Sequence, residues 1–221
     1  MNIKEMVVVI TGGAGDTATE VINQLKNKTK HLIVTLRNTN KQLELKNNIL
    51  YVKGDLYSKK DVEKIHQNII KEFGTIHAWI NIVGGFTMGN VIEDANKTWD
   101  EMINVNFLTT LNCCEVILHT FKKNKFGRLI NFGSQVGNTG MPLAGPYCVS
   151  KSMVHMLTKV ISQEVSDDIT CNAIVPGVID TPKARKSMPN ANFSEWSKPT
   201  DLAKSVINIL NSEINGELIE I

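Results

Sequence analysis

Several classes of protein are excluded by what the sequence has little of. No apolar run approaches the roughly 18 residues that cross a bilayer, and Glu5 breaks the apolar stretch at the amino terminus where a signal peptide would begin. Charge of one sign is scarce: 24 Lys and Arg against 22 Asp and Glu leave a net +2, too little for a polyanionic partner. The densest basic block, FKKNK at Phe121 to Lys125, reads as a solvated helix end. Cys113 and Cys114 are adjacent, Cys148 and Cys171 stand alone, and none has C-x-x-C or zinc-ligand spacing, so all four are expected to be reduced, buried thiols. His31, His66, His77, His119 and His155 show no paired ligand spacing either, and no metal site is expected. There is no internal repeat, low-complexity tract or linker. The expectation is a cytoplasmic protein that binds neither nucleic acid nor membrane and holds no metal.

What is present suits one α/β domain spanning residues 1–221, with 42% hydrophobic and 21% charged residues. Apolar runs alternate with helical patterns. MVVVIT (Met6 to Thr11), HLIVTLR (His31 to Arg37), ILYVKGD (Ile49 to Asp55) and IHAWINIVG (Ile76 to Gly84) read as strands, as do GRLINFGS (Gly127 to Ser134), ITCNAIVPG (Ile169 to Gly177) and GELIEI (Gly216 to Ile221). Continuous apolar strands bounded by glycine are what a parallel sheet covered on both faces requires. SKKD at Ser58 and TWDE at Thr98 have the hydroxyl-x-x-acid form of a helix-opening capping box. The short crossover from Arg37 to Ile49 leaves room only for a stunted helix. The expectation is a single-domain, doubly wound parallel sheet of the Rossmann type with about seven strands, and a ligand crevice at the strands' carboxyl ends.

The first strand runs into TGGAGDTATE, Thr11 to Glu20. Gly12, Gly13 and Gly15 can take positive φ and let a pyrophosphate approach backbone N–H groups at a helix amino terminus, while Ala18 adds only a methyl at the helix-strand contact. Asp16 is the unusual residue. At about 8 Å its repulsion of a phosphate charge is roughly 2 kcal/mol at an effective dielectric of 20 and about 0.5 in water. Turned outward in the first helical turn, it recovers about 0.3 to 1 kcal/mol from the helix dipole. The loop can therefore hold a phosphate if Asp16 faces solvent. A tight strand-to-helix turn without a ligand would use the same glycines.

GPYCVSK places Tyr147 and Lys151 one helical turn apart on one face. A phenol with pKa near 10 is a poor acid-base group at neutral pH, and a neighbouring ammonium stabilises its phenolate. Ser134, at the end of the strand RLINFGS, is placed to hold a substrate oxygen. Taken alone, the pair fits a partly buried tyrosine beside a surface lysine better; its position after a strand-terminal serine, in a chain opening with a phosphate turn, reverses that preference.

With these residues in order, nearly the whole chain resembles the short-chain dehydrogenase/reductase family. The likeness rests on Thr11-Gly12, Asp55 after the third strand, NIVG (Asn81 to Gly84, where Ile82 and Val83 depart from the family's N-N-A-G), Asn106 in INVNF, Ser134, Tyr147 with Lys151, and PGVIDT (Pro176 to Thr181). The resemblance implies that Tyr147 donates a proton to a carbonyl and Ser134 orients it. It implies that Lys151 lowers the tyrosine pKa and grips the nicotinamide ribose, while Asn106 supports a proton-relay water. It also implies a cofactor seat at Gly12, Gly13, Gly15, Asp16 and Thr17, adenine contact at Asp55 with Leu56 beside it, and backbone contacts at Asn81, Val83 and Gly84. The nicotinamide carboxamide would then lie near Pro176, Gly177, Ile179 and Thr181. Asp55 capping a turn, Asn106 satisfying buried backbone and Thr181 opening a loop are the plainer readings of those residues.

Cofactor choice is read at the second strand's end, where an acid would meet a ribose 2′-hydroxyl. Leu36 takes that place and Arg37 follows, with Asn38 and Thr39 as further donors, so NADPH is expected over NADH. Two stretches, the opening loop and Ile179 to Trp196, resemble the dihydropteridine reductases, with VGG at Val83 to Gly85 in support. Ser134 and Arg37 depart from that pattern, which favours a carbonyl (aldehyde, ketone or 3-oxoacyl-like) as substrate. A quinonoid-pterin reductase and a non-catalytic NADP-binding sensor are the alternatives. Thr181 to Trp196 is expected to be a mobile lid, and Phe86, Met88, Met141, Met188, Phe193 and Trp196 to offer an apolar substrate wall. Apolar residues around much of the helices from Tyr147 to about Val165 and from about Thr98 to Lys122 imply a homodimer or homotetramer.

Overall fold

The structure is a computed structural model that describes residues 1–37, 45–92, 96–166 and 168–221. Its strands are β1 (Val7–Ile10), β2 (His31–Leu36), β3 (Leu45–Lys46), β4 (Ile49–Lys53), β5 (Ala78–Asn81), β6 (Phe126–Phe132), β7 (Asp168–Val175) and β8 (Leu218–Glu220). The helices are α1 (Asp16–Leu25), α2 (Lys59–Phe73), α3 (Asn96–Met102), α4 (Thr109–Asn124), α5 (Val136–Thr139), α6 (Gly145–Glu164), α7 (Pro182–Ser187) and α8 (Pro199–Leu210). One sheet runs β3-β4-β2-β1-β5-β6-β7-β8, and all pairings are parallel except that of β3 with β4. The seven expected strands are all present, each ending before its apolar run does because the chain turns off the sheet into the crevice loops.

Why the strands read as unbroken apolar runs is visible in the two cores. Successive strand residues face opposite sides, so Val8, Ile10, Leu32 and Val34 pack against α1 and α8, while Val7, Val9, Ile33 and Trp79 pack against α2 and α4. Both faces are buried, and no position in β1 or β6 is left for a polar, solvent-facing residue. All four cysteines are free and buried, as expected.

Two local expectations are corrected. β3 was not foreseen: Asn47 and Asn48 have φ of 50° and 64° and make a two-residue hairpin pairing Lys46 with Ile49, since asparagine tolerates the left-handed conformation such a turn needs. The stunted helix expected in that crossover falls on residues outside those described. Thr98 does not open a helix but lies inside α3, which begins at Asn96; a hydroxyl three residues before an acid also occurs within helices. Ser58 does cap α2, accepting from the Asp61 amide, yet the Asp61 carboxylate accepts from the amide of Asp55 at 3.2 Å. Between α3 and α4 the helix widens to a π segment, Ile103–Leu108, a distortion that recurs at functional sites.

Candidate active site

Loops leaving the carboxyl ends of β1, β2, β4 and β5 enclose a cavity of about 150 Å³, lined among others by Gly12, Gly13, Arg37, Asp55, Leu56 and Val83. Thr11, fully buried, fixes two of these loops to each other: its hydroxyl oxygen accepts from the amides of Ile82 (3.0 Å) and Val83 (3.2 Å). Gly12 has φ +76°, and a Cβ there would lie 3.0 Å from Val83 Cγ2. At Gly13 a Cβ would sit 2.0 Å from Val34 Cγ1, so only glycine lets the turn lie against β2. Gly15 precedes α1 with φ −84°, and only Gly12 of the three uses left-handed backbone, a correction to the expected role of Gly13 and Gly15. Asp16 opens α1 and is exposed, with Thr17 half-buried beside it and Ala18 buried, the orientation a bound phosphate would tolerate.

Arg37 is exposed at the end of β2, its guanidinium 5.9 Å from the centroid of the Tyr57 ring. Among the described residues no carboxylate pairs with it; Asn38 and Thr39 lie outside them. Asp55 lines the cavity and also caps a turn, its Oδ1 accepting from the Tyr57 amide at 3.2 Å. Asn81 turns its side chain away from the cavity, which leaves only its backbone for the expected contact. It is buried, accepts from Trp79 Nε1 (2.9 Å) and donates to Asn131 Oδ1 (2.9 Å), so its side chain belongs to the core beneath the cavity.

Beyond β5 the loop passes the second half of the site. Asn106, buried in the π segment, clamps Gly85 from both sides: the Gly85 amide donates to Asn106 Oδ1 (2.9 Å) and Asn106 Nδ2 donates to the Gly85 carbonyl (3.1 Å). The same Nδ2 donates to Ser150 Oγ at 3.0 Å, and the Ser150 hydroxyl donates to the Tyr147 carbonyl. The plainer reading of Asn106 describes these bonds, since both atoms of its amide satisfy the buried backbone of Gly85. A Cβ on Gly84 would come within 2.9 Å of Asn106 Oδ1 and 3.3 Å of Lys151 Nζ, so the loop backbone reaches the lysine only because that residue is glycine.

Tyr147 and Lys151 share one face of α6, and Ser134 lies at the end of β6. Lys151 is buried and donates to the Phe132 carbonyl at 2.8 Å; burial pulls its pKa down to about 8. The Tyr147 pKa moves opposite to the expectation. Burial raises it, a hydrogen bond with Ser134 pulls it part of the way back, and Lys151 is not among its causes. One Lys151 N–H is given to the Phe132 carbonyl, and burial weakens its hold on the charge. The Phe86 ring stands edge-on to Tyr147 at 4.9 Å. Met88, Met141 and Met188 are exposed, whereas Trp196 is buried against Phe193 at 4.8 Å, so Trp196 is taken up by packing and leaves the expected apolar wall.

After β7, Pro176 accepts from the Gln135 amide, Gly177 donates to Ser197 Oγ and Ile179 bridges to Ser197. Thr181 opens a helix: its Oγ1 accepts from the Ala184 amide at 3.1 Å and caps α7. Asp180 and Arg185 form a two-bond ion pair there (2.6 and 2.8 Å). Ser150 and His155, both buried on α6, were not foreseen in the site; the signal for His155 was its place one turn beyond Lys151, in line with Tyr147.

The family model for short chain dehydrogenase matches residues 6–192. An uncharacterised oxidoreductase of Staphylococcus saprophyticus is 26% identical over 225 residues, covering 95% of this chain and 92% of that protein. The 3-oxoacyl-[acyl-carrier-protein] reductase of Haemophilus influenzae is 27% identical, covering 79% of this chain and 74% of its own length. Among solved structures, ElxO with NADP bound superposes with a TM-score of 0.90 at 26% identity, over 98% of this chain and 97% of that one. The chain belongs to the short-chain dehydrogenase/reductase family and is an NAD(P)-dependent oxidoreductase of that kind.

Proposed function

We propose that this protein reduces a carbonyl compound (aldehyde, ketone or 3-oxoacyl-like) with NADPH, Tyr147 giving the proton to the carbonyl oxygen. The observation that carries the reading is the meeting of Ser134, Tyr147 and Lys151 at one strand end, with a phenol that burial keeps protonated and therefore in the donor form. The residues suit a dinucleotide: a positive-φ glycine at the turn, a Gly13 with no room for a side chain, and a glycine at position 84 beside Lys151. NADPH, when bound, supplies the hydride. Arg37, free of any carboxylate partner among the described residues, can meet the 2′-phosphate with two parallel charge-assisted bonds. Ser134 holds the substrate oxygen toward Tyr147, and Phe86 with the methionines excludes water from an apolar substrate.

The 3-oxoacyl substrate in the name of one relative supports a ketone, as does the NADP of one structural neighbour for the cofactor. A homodimer or homotetramer is part of the same reading, since Val149, Met156 and Val160 expose an apolar stripe along α6. The experiment is NADPH absorbance with a panel of aldehydes, ketones, 3-oxoacyl thioesters and quinonoid dihydropterin. Tyr147→Phe should lower turnover by roughly 10² to 10⁴ while NADPH binding persists. Turnover equal to wild type in that variant would refute the assignment.

A further inference from the structure

The backbone at Ser134 raises a hydrogen-bonding problem that the site as described does not solve. The amide of Gly133 donates to the carbonyl of Ile174, the last residue of β7 paired with β6, and that of Gln135 to Pro176 just past the strand. Alternation along a strand turns the Ser134 N–H to the opposite side, toward β5, whose last paired residue is Asn81 opposite Asn131. A buried amide with no partner is costly. Here α6 takes the place of the missing strand: Lys151 Nζ donates to the Phe132 carbonyl, and one turn later His155 Nε2 accepts from the Ser134 amide at 3.2 Å.

We propose that His155 is a positioning residue for Ser134, an imidazole acceptor that fixes the backbone carrying the substrate-orienting hydroxyl. The inference rests on the carbonyl-reductase reading above. Because the Ser134 N–H must donate, Nε2 is unprotonated and Nδ1 carries the hydrogen, which goes to Asn138 Oδ1 at 2.9 Å. The ring is buried, and burial with the nearby Lys151 and Lys159 cations lowers its pKa to about 4, so it stays neutral. Two glycines make room for it: a Cβ on Gly133 would lie 2.2 Å from His155 Nε2, and one on Gly137 would lie 2.8 Å from Cε1. With both glycines flanking Ser134, the site is built around the imidazole.

The test is a double-mutant cycle on the full-length protein with NADPH and whichever panel compound the wild type turns over fastest. His155→Leu should lower kcat by roughly tenfold to a hundredfold, the scale of a misplaced orienting group, with the NADPH dissociation constant changed less than twofold. In a Ser134→Ala background the same substitution should cost almost nothing, because the hydroxyl it positions is gone. His155→Gln, whose amide oxygen can accept from the Ser134 N–H, should recover most of the activity. Equal fold-losses in both backgrounds, a glutamine variant no better than leucine, or NADPH affinity falling in step with kcat would each overturn the inference and leave His155 as core packing. If His155→Leu does not fold, Asn138→Ala, an exposed position, takes its place in the cycle; it frees the ring to turn, and its smaller loss should likewise vanish without the serine. No loss in Ser134→Ala alone would sink the serine's assignment and this inference with it, whereas a clear serine effect with additive His155 losses would sink the inference only.

Discussion

Burying the Lys151 ammonium should make the protein's stability rise with pH in a window where most proteins change little. Its pKa is lowered from 10.5 to about 8, with burial as the cause. Below pH 8 both the folded and unfolded chains carry the proton and stability has no slope from this group. Between pH 8 and 10.5 the folded state has released a proton that the unfolded chain still holds, so the unfolded state binds more and stability climbs with pH. Above 10.5 the slope ends. At 1.36 kcal/mol for each pKa unit, a shift of about 2.5 units is about 3 kcal/mol, a cost present below pH 8 and relieved by 10.5.

Lys151→Met isolates this quantity. The variant also loses the bond to the Phe132 carbonyl, which shifts its absolute stability by a constant, but other groups titrate in both proteins and cancel in the difference. Urea unfolding followed by tryptophan fluorescence, at half-unit steps from pH 7 to 10.5, should show the wild type gaining about 3 kcal/mol on the variant. In thermal melts that is about 6 to 12 °C for a chain of this size. A difference constant within about 0.5 kcal/mol would show that water or local opening solvates the ammonium, and a difference of opposite sign would mean that an unrecognised partner stabilises it. The variant should also be inactive, since a buried cation is retained at such a cost only where the chemistry uses it.

Arg37→Ala should weaken NADPH binding by roughly tenfold to a hundredfold, one or two bonds to a charged group, and leave NADH little changed; fluorescence titration that finds equal losses for the two nucleotides would show that Arg37 does not read the phosphate. Met156→Glu puts a charge at the centre of the apolar stripe on α6, at a position 61% exposed. It should shift the protein toward monomers by light scattering at micromolar concentration, and a wild type already monomeric there would end the oligomer proposal.

What could be read in the sequence was whatever depends on spacing along one element. Strands covered on both faces leave continuous apolar runs, and Tyr147 with Lys151 lies within a single helix, so the fold and the central pair were legible. The Asn47-Asn48 hairpin was not read, because a two-residue strand gives the periodicity nothing to detect. The π segment around Asn106 left no mark, because the apolar pattern over six residues does not distinguish it from an α-helix.

Burial was the larger omission, and it reverses a sign. Spacing puts a lysine near a tyrosine, from which a lowered phenol pKa follows; whether that ammonium is hydrated is decided by where α6 packs against the end of β6. Both groups turn out to be desolvated, and desolvation disfavours each charged form, lowering the lysine and raising the tyrosine together. Tyr147 therefore holds its proton, the donor form that the proposed reduction asks of it. The protonation of this pair is thus set by the packing of one helix against one strand, and the pairing of Tyr147 with Ser134 spans thirteen residues that no local pattern connects.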